Sequence, residues 1–290
     1  MAFRNVIIDS RCKLEYSLNY LVHRKGLEEK RILMDEIKLL IICSTQVSIT
    51  SSLISELSKK KVKIIFCNEK NNPECEIVSY QNNYYSYRKI KEQINFASEN
   101  KEYLWKKIIE VKILNQSKVL KKYNKEVQSQ MLLNYSKDVQ IADTSNREGH
   151  SAKVYFNALF GLDFNRNQEN NINKYLNYGY SILLSSFNRE IKSLGYLTEL
   201  GIHHIGESNS FNLSCDFMEP LRPIIDQLVC SGKLNDENFK YELVNILTTK
   251  VKYNSMEIFL DNAIHLYVED LLHYLKSGKE EYIKFIEYEF

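Results

Sequence analysis

At 290 residues, 44% hydrophobic and 26% charged with only three prolines and nine glycines, the chain has room for one large or two ordinary domains and the composition of an ordered globular protein. That excludes a single-helix peptide, a disulfide-stapled scaffold and a disordered tail. The net charge of +2 hides an uneven spread, with 13 basic against 10 acidic residues in 1–80, 12 against 6 in 81–138 and 14 against 21 in 139–290.

The first 80 residues favour strands. Asn5–Asp9, Lys13–Asn19, Tyr20–Arg24 and Ile32–Cys43 are β-branched or alternating and separated by turn-like residues. Within 30–43 the pattern changes from alternation to a solid apolar run, which suits a strand becoming buried on both faces. Thr50-Ser51-Ser52 then offers a helix cap ahead of Leu53, Ile54 and Leu57, Lys61–Cys67 returns to strand, and a last short strand is expected near Cys75–Tyr80. From Tyr84 onward the character changes. Gly and Pro almost vanish until Gly161, and apolar residues recur at three and four, as in Leu104, Ile108, Val111 and Leu114. Residues 149–160, 171–195, 212–231 and 255–275 share this period. The expected architecture is α+β: a small, sandwich-like N-terminal β domain with one helix, residues 1–80, followed by a larger all-α domain, residues 84–290.

The six cysteines form no C-x-x-C pair, and most lie in apolar runs, so they are expected to be small core hydrophobes in a reducing compartment. The amino terminus has no long apolar stretch, and no run of 18 apolar residues occurs, which points to a cytoplasmic protein without a membrane span.

Three segments carry chemistry: Ser145-Asn146-Arg147-Glu148-Gly149-His150, the pair His203-His204, and Asp216-Phe217-Met218-Glu219-Pro220-Leu221-Arg222-Pro223. Together they have the makings of a carboxylate and imidazole site for a divalent cation. Each also has a plainer reading. Ser145-x-x-Glu148 is a capping-box pattern in which Glu148 bonds back to the cap. A histidine in the glycine-flanked stretch 201–206 is often just a loop residue, although imidazole is a common ligand and glycine lets backbone approach closely. Asp216, Glu219 and Asp226 share a helix face with Arg222 beside them, and solvated acids have the same periodicity. Pro220 and Pro223 each remove a backbone donor, so the helix is expected to bend there. The basic middle segment beside the acidic remainder suits a polyanion surface, with Lys118, Lys121, Lys122 and Lys125 its candidates, although a solvated helix face has the same charges. Arg166 in the Asn-rich loop is a further candidate phosphate contact. Tyr175, Tyr178, Tyr180 and Phe187 are expected to pack. Nothing resembles a P-loop, a dinucleotide fingerprint or a G-x-S-x-G elbow.

Taken in order, Asn146-Arg147-Glu148-Gly149-x-Ser151-Ala152-x-x-Tyr155-Phe156, Gly201-Ile202-His203-His204 and residues 216–223 resemble the universal CRISPR-associated integrase family, Cas subunit one. The Asp-Phe-Met-Glu form of the third motif is similar to the type II branch. The resemblance implies metal ligands at Glu148, His204 and Glu219, with Asp216 as an accessory carboxylate and no role for His203. It implies Mg²⁺ or Mn²⁺ as cofactor, the imidazole favouring Mn²⁺ over an all-oxygen Mg²⁺ shell. It also implies a homodimer built through the β domains and a heterohexamer with the small ferredoxin-like Cas subunit two. Such a complex binds double-stranded DNA and inserts short foreign duplexes into the CRISPR repeat, a DNA 3′ hydroxyl attacking a phosphodiester. The competing readings are an inactive DNA-binding scaffold and a structure-specific, metal-dependent repair nuclease.

Overall fold

In the computed structural model, which describes residues 4–69, 73–77 and 85–289, the alternating stretches of the first unit form strands β1 (Arg4–Ile8), β2 (Cys12–Ser17), β3 (Tyr20–Lys25), β4 (Glu28–Leu33), β5 (Ile37–Ile42) and β6 (Val47–Ile49). Helix α1 (Ser51–Lys59) follows, then β7 (Lys63–Cys67) and β8 (Pro73–Glu76). The expected last strand reached Tyr80, and residues 78–80 lie outside the described residues, as does the boundary expected at 80–84. By internal contacts the chain divides into two compact units, Met1–Asn82 and Asn83–Phe290.

The first unit is sandwich-like. One sheet has the order β1-β5-β7-β8 and the other β4-β3-β2-β6. Val6, Ile8, Leu40, Ile42 and Ile64 of the first share a core with Leu14 and Leu21 of the second and with Leu53 and Leu57 of α1. The Thr50 hydroxyl accepts the Leu53 N–H at 3.3 Å and so starts α1 where the sequence placed its cap. The stretch 32–43 is two strands rather than one. A 3₁₀ turn at Met34–Glu36 carries the chain from exposed β4, at the edge of one sheet, to buried β5, between β1 and β7 in the other. The change of pattern within 30–43 therefore marks a change of sheet. Leu18 and Asn19, both at positive φ, make the two-residue turn that joins β2 to β3 and matches the strands' twist.

The second unit is mostly helical: α2 (Ser86–Ile94), α3 (Ser98–Lys122), α4 (Glu126–Lys137), α5 (Arg147–Phe160), α6 (Asn171–Ser193), α7 (Asn212–Met218), α8 (Arg222–Cys230) and α9 (Phe239–Asn245). It also holds a hairpin of β9 (Lys250–Tyr253) and β10 (Met256–Phe259) before α10 (Leu260–Ser277). The expected helix over 255–275 therefore loses its first turn to this hairpin, whose turn residues Asn254 and Ser255 both have positive φ.

Helix α3 packs against α4, α5, α8 and the 3₁₀ turn at Glu219–Leu221. Its buried stripe runs Leu104, Trp105, Ile108, Ile109, Lys112, Ile113 and Gln116. Val111 and Leu114, placed by the sequence in the apolar row, are only half-buried. Pro220 and Pro223 act as expected: α7 ends at Met218, the backbone tightens, and α8 starts at Arg222. Among the described residues no helix is long and apolar enough to cross a membrane. Cys12, Cys43 and Cys67 are buried core residues, whereas Cys75 is exposed.

Candidate active site

The carboxylate of Asp216 on α7 is fully buried and organises the loop that carries both histidines. Its Oδ2 accepts the N–H groups of Ile202 at 2.7 Å and His203 at 3.1 Å, and its Oδ1 accepts the His204 N–H at 3.1 Å. Oδ1 also lies 2.6 Å from His204 Nδ1. A carboxylate only accepts, so Nδ1 carries the hydrogen, and in the neutral ring the Nε2 lone pair is left for a ligand. The bond to Asp216 also raises the His204 pKa, against a smaller opposing effect of burial, and the charges of Glu219 and Glu148 raise it further. Gly201 is required here by close approach: a Cβ would run into the His204 carbonyl oxygen and come within 2.8 Å of Asp216 Oδ2. His203 stacks on Trp105, ring centroids 4.1 Å apart and planes 5° apart, and Trp105 meets the His204 ring edge-on. His203 is therefore an anchor of the loop.

Glu148 stands in the first turn of α5, and its expected capping role goes to other residues. The side chain of Asn146, the N-cap, accepts the Gly149 N–H at 3.2 Å. The buried Asp143 carboxylate accepts the N–H groups of Arg147 at 2.8 Å and Glu148 at 2.9 Å. Ser145 Oγ is buried without a hydrogen bond. With the first turn satisfied elsewhere, the Glu148 side chain is released to reach α3.

There it meets Lys112, whose Nζ donates to Glu148 Oε1 at 2.6 Å and lies 2.6 Å from Glu219 Oε2. Glu219 is held from its other side by Arg222 Nε, 2.8 Å from Oε1. The Arg222 guanidinium also lies over the Tyr180 ring at 4.7 Å. The Lys112 ammonium thus pairs with one oxygen of each glutamate. Burial pushes the Glu219 pKa up, yet Arg222 and Lys112 outweigh it and hold the carboxyl at about 2. Burial likewise opposes the charge on Lys112, and Glu219 and Glu148 outweigh it, so its pKa is raised. On the same helix Asn115 donates to the Pro220 carbonyl at 2.9 Å and fixes the turn that presents Glu219.

The sequence-derived ligands thus fall into two groups. Glu148 and Glu219 meet around the Lys112 ammonium, and His204 is braced by Asp216. Asp216 commits both oxygens to the histidine loop, so it serves as an orienting group. Among the described residues no three His, Cys, Asp or Glu side chains form a metal-holding group as they stand. The donor chemistry nevertheless fits a divalent cation. Two carboxylates and an imidazole are brought to one place, Glu219 Oε2 is met by the Lys112 ammonium rather than by a fixed neutral donor, and Arg222 and Asp216 orient Glu219 and His204 through their other atoms. Lys112, Asn115, Asp143 and Trp105 were not singled out from sequence. A lysine inside the apolar stripe of α3 is the signal that marks the first of them.

Asp226, placed by the sequence in the same acidic cluster, is committed elsewhere: it is buried and accepts the Tyr180 hydroxyl. Lys118 and Lys122 line a groove of about 860 Å³ together with Lys233, Lys250 and Lys252, whereas Lys121 and Lys125 are exposed outside its lining. Arg166 is engaged by Asn173 and Asn177 at 2.5 and 2.6 Å and bonds its own loop to α6.

A family model described as CRISPR associated protein Cas1 matches residues 6–257. The CRISPR-associated endonuclease Cas1 of Neisseria meningitidis serogroup C (strain 8013) is 33% identical over 229 residues, covering 79% of this chain and 75% of that protein. Among solved structures, a casposase bound to integration product superposes with a TM-score of 0.77 at 22% identity, over 97% of this chain and 92% of that one. A Cas6-RT-Cas1–Cas2 complex also gives 0.77, at 14% identity, over 97% of this chain and 36% of that one. At these identities the two structural likenesses establish the fold.

Proposed function

The chain belongs to the CRISPR-associated Cas1 family, and on that premise we propose that it is a metal-dependent DNA integrase and endonuclease of CRISPR adaptation. In this reading a DNA 3′ hydroxyl attacks a phosphodiester of the CRISPR repeat and inserts a short foreign duplex. The observation that carries the reading is the meeting of Glu148 and Glu219 around one cation, beside a histidine whose Nε2 is turned free by Asp216. The endonuclease name of the Neisseria relative and the integration product of the casposase support it.

Glu148, Glu219 and His204 would hold Mg²⁺ or Mn²⁺, with one imidazole favouring Mn²⁺. The bound ion supplies a Lewis acid that lowers the hydroxyl pKa and offsets negative charge at the phosphorus. The protein's own part is preorganisation. Arg222 fixes the Glu219 carboxylate by one oxygen, Asp216 fixes the tautomer and tilt of His204, and Asp143 with Asn146 holds the helix turn that presents Glu148. Lysines of the groove near Lys118 and Lys122 would bind DNA phosphates. The partners in this reading are a second copy of the chain and the small Cas2 protein, the latter supported by the Cas1–Cas2 assembly among the structural neighbours. The Asp216-Phe217-Met218-Glu219 motif supports the type II branch, and a cytoplasmic location follows from the substrate.

The test is incubation of the protein with Cas2, a short duplex with free 3′ ends and a supercoiled plasmid carrying the array, in Mg²⁺ or Mn²⁺. Joined strands are expected, and chelation should stop the reaction. Hydrolysed ends alone would indicate a nuclease, and no reaction a scaffold.

A further inference from the structure

Between the two acids stands a group that neither motif accounts for. Lys112 is 7% exposed, its Nζ is 2.6 Å from an oxygen of each glutamate, and its stem runs in the apolar stripe of α3. Two glutamates this close repel one another, and a buried ammonium removes that repulsion. A divalent ion held by the same two carboxylates would compete with this ammonium for their charge. An ammonium and a divalent ion cannot share the interval between the two acids, because like charges a few ångströms apart repel strongly inside a protein. The charges support an exchange. Lys112 and Arg222 together balance Glu148 and Glu219. Arg222 binds Glu219 through Oε1, so it can stay in place when Oε2 changes partner. The four-carbon stem of a lysine allows its head to withdraw while the helix stays fixed. Glu148 and His204 are the more exposed members of the site, with side chains 29% and 40% accessible, which opens a route on their side.

The geometry points to Lys112 as an internal counter-cation that holds the acid pair together in the metal-free protein and must be displaced for a divalent ion to bind. This rests on the metal reading of the site. A plain structural ion pair predicts that losing Lys112 damages the site, whereas exchange predicts that it frees the site for metal.

The experiment measures Mn²⁺ binding to the full-length protein without DNA, reading free Mn²⁺ by electron paramagnetic resonance, together with thermal unfolding with and without Mn²⁺. In Lys112→Met the affinity for Mn²⁺ is expected to rise at least about tenfold. The melting temperature without metal should fall, and most of the loss should return on adding Mn²⁺. Lys112→Gln, polar and of similar length, is expected to behave alike and serves if the methionine variant does not fold. Affinity that is unchanged or weaker in the folded variant overturns the exchange. Glu219→Gln separates this from failure of the metal reading itself. If wild-type protein binds Mn²⁺ and Glu219→Gln abolishes that binding, an unchanged Lys112 variant sinks only the exchange. If Glu219→Gln binds Mn²⁺ as wild type does, the ligand assignment falls and the exchange with it.

Discussion

Asp216 shows why the chemistry of a residue depends on which of its atoms are already in use. Four N–H groups converge on its two oxygens, so its contribution to the site passes through His204. Asp216→Asn, which keeps the volume but turns one acceptor into a donor, should lower strand transfer about 10- to 100-fold, in the range found when a histidine loses its orienting carboxylate. Unchanged strand transfer would show that His204 needs no such support. Glu148→Ala and His204→Ala should abolish strand transfer while duplex binding survives, and full integration by either in Mn²⁺ would overturn their assignment. Asp226 offers a test in pH. Burial pushes its carboxyl up to about 6, although Tyr180 and Arg222 pull it down. Its folded pKa therefore exceeds the unfolded one near 4, and the stability it contributes is complete below the unfolded value and lost as pH rises through the folded value. Asp226→Asn should consequently gain stability on wild type as pH climbs from about 4 to above 6, by on the order of 3 kcal/mol. Urea unfolding across that range measures it, and a difference that does not vary with pH would refute the sign.

At the scale of elements, α5 begins one residue later than the Ser145-x-x-Glu148 pattern suggests. Asn146 sits at a positive φ of 51° as the cap, and Asp143 reaches forward from the preceding turn to take the first two amides. Asp143→Ala should destabilise by about 1–2 kcal/mol, the usual effect of losing a cap, and weaken strand transfer by loosening Glu148. Ser145→Ala should change stability little. A larger loss at Ser145 than at Asp143 in denaturant melts would restore the capping-box reading. The loop and α7 meet at Gly201, where Gly201→Ala should destabilise by about 1–3 kcal/mol through overpacking against the His204 carbonyl and Asp216.

For the whole molecule, lysines from the basic and the acidic parts of the sequence meet, beside Glu257, Glu287 and Glu289, along one groove. The basic middle segment supplies Lys118 and Lys122 to a groove that the chain's later lysines, Lys233, Lys250 and Lys252, complete. Reversing the charge at Lys118 and Lys122 should weaken duplex binding and reduce the slope of log affinity against log salt by about 2, close to one unit for each phosphate no longer neutralised. Reversal at Lys121 and Lys125 should do less. Equal losses in the two pairs would move the DNA footprint off the groove.

Local patterns carried the message wherever a residue's environment is set by its neighbours in the chain. The cap of α1, the break at Pro220 and Pro223 and the two-part character of the molecule were legible in this way, and three motifs singled out Glu148, His204 and Glu219 as candidates. The stretch 30–43 revealed its change of burial but not its change of sheet, because strand periodicity does not record which sheet a strand joins. What tertiary structure alone decided was partnership at long range. Lys112 reaches Glu148 across 36 residues, Asn115 holds Pro220 across 105, and Asp216 gathers the amides of a loop 12 to 14 residues earlier. A side chain's periodicity specifies the face it occupies, whereas the atom it bonds depends on which helix packs against that face. The same stripe that buries Ile108 and Ile109 therefore also delivers a cation between two acids.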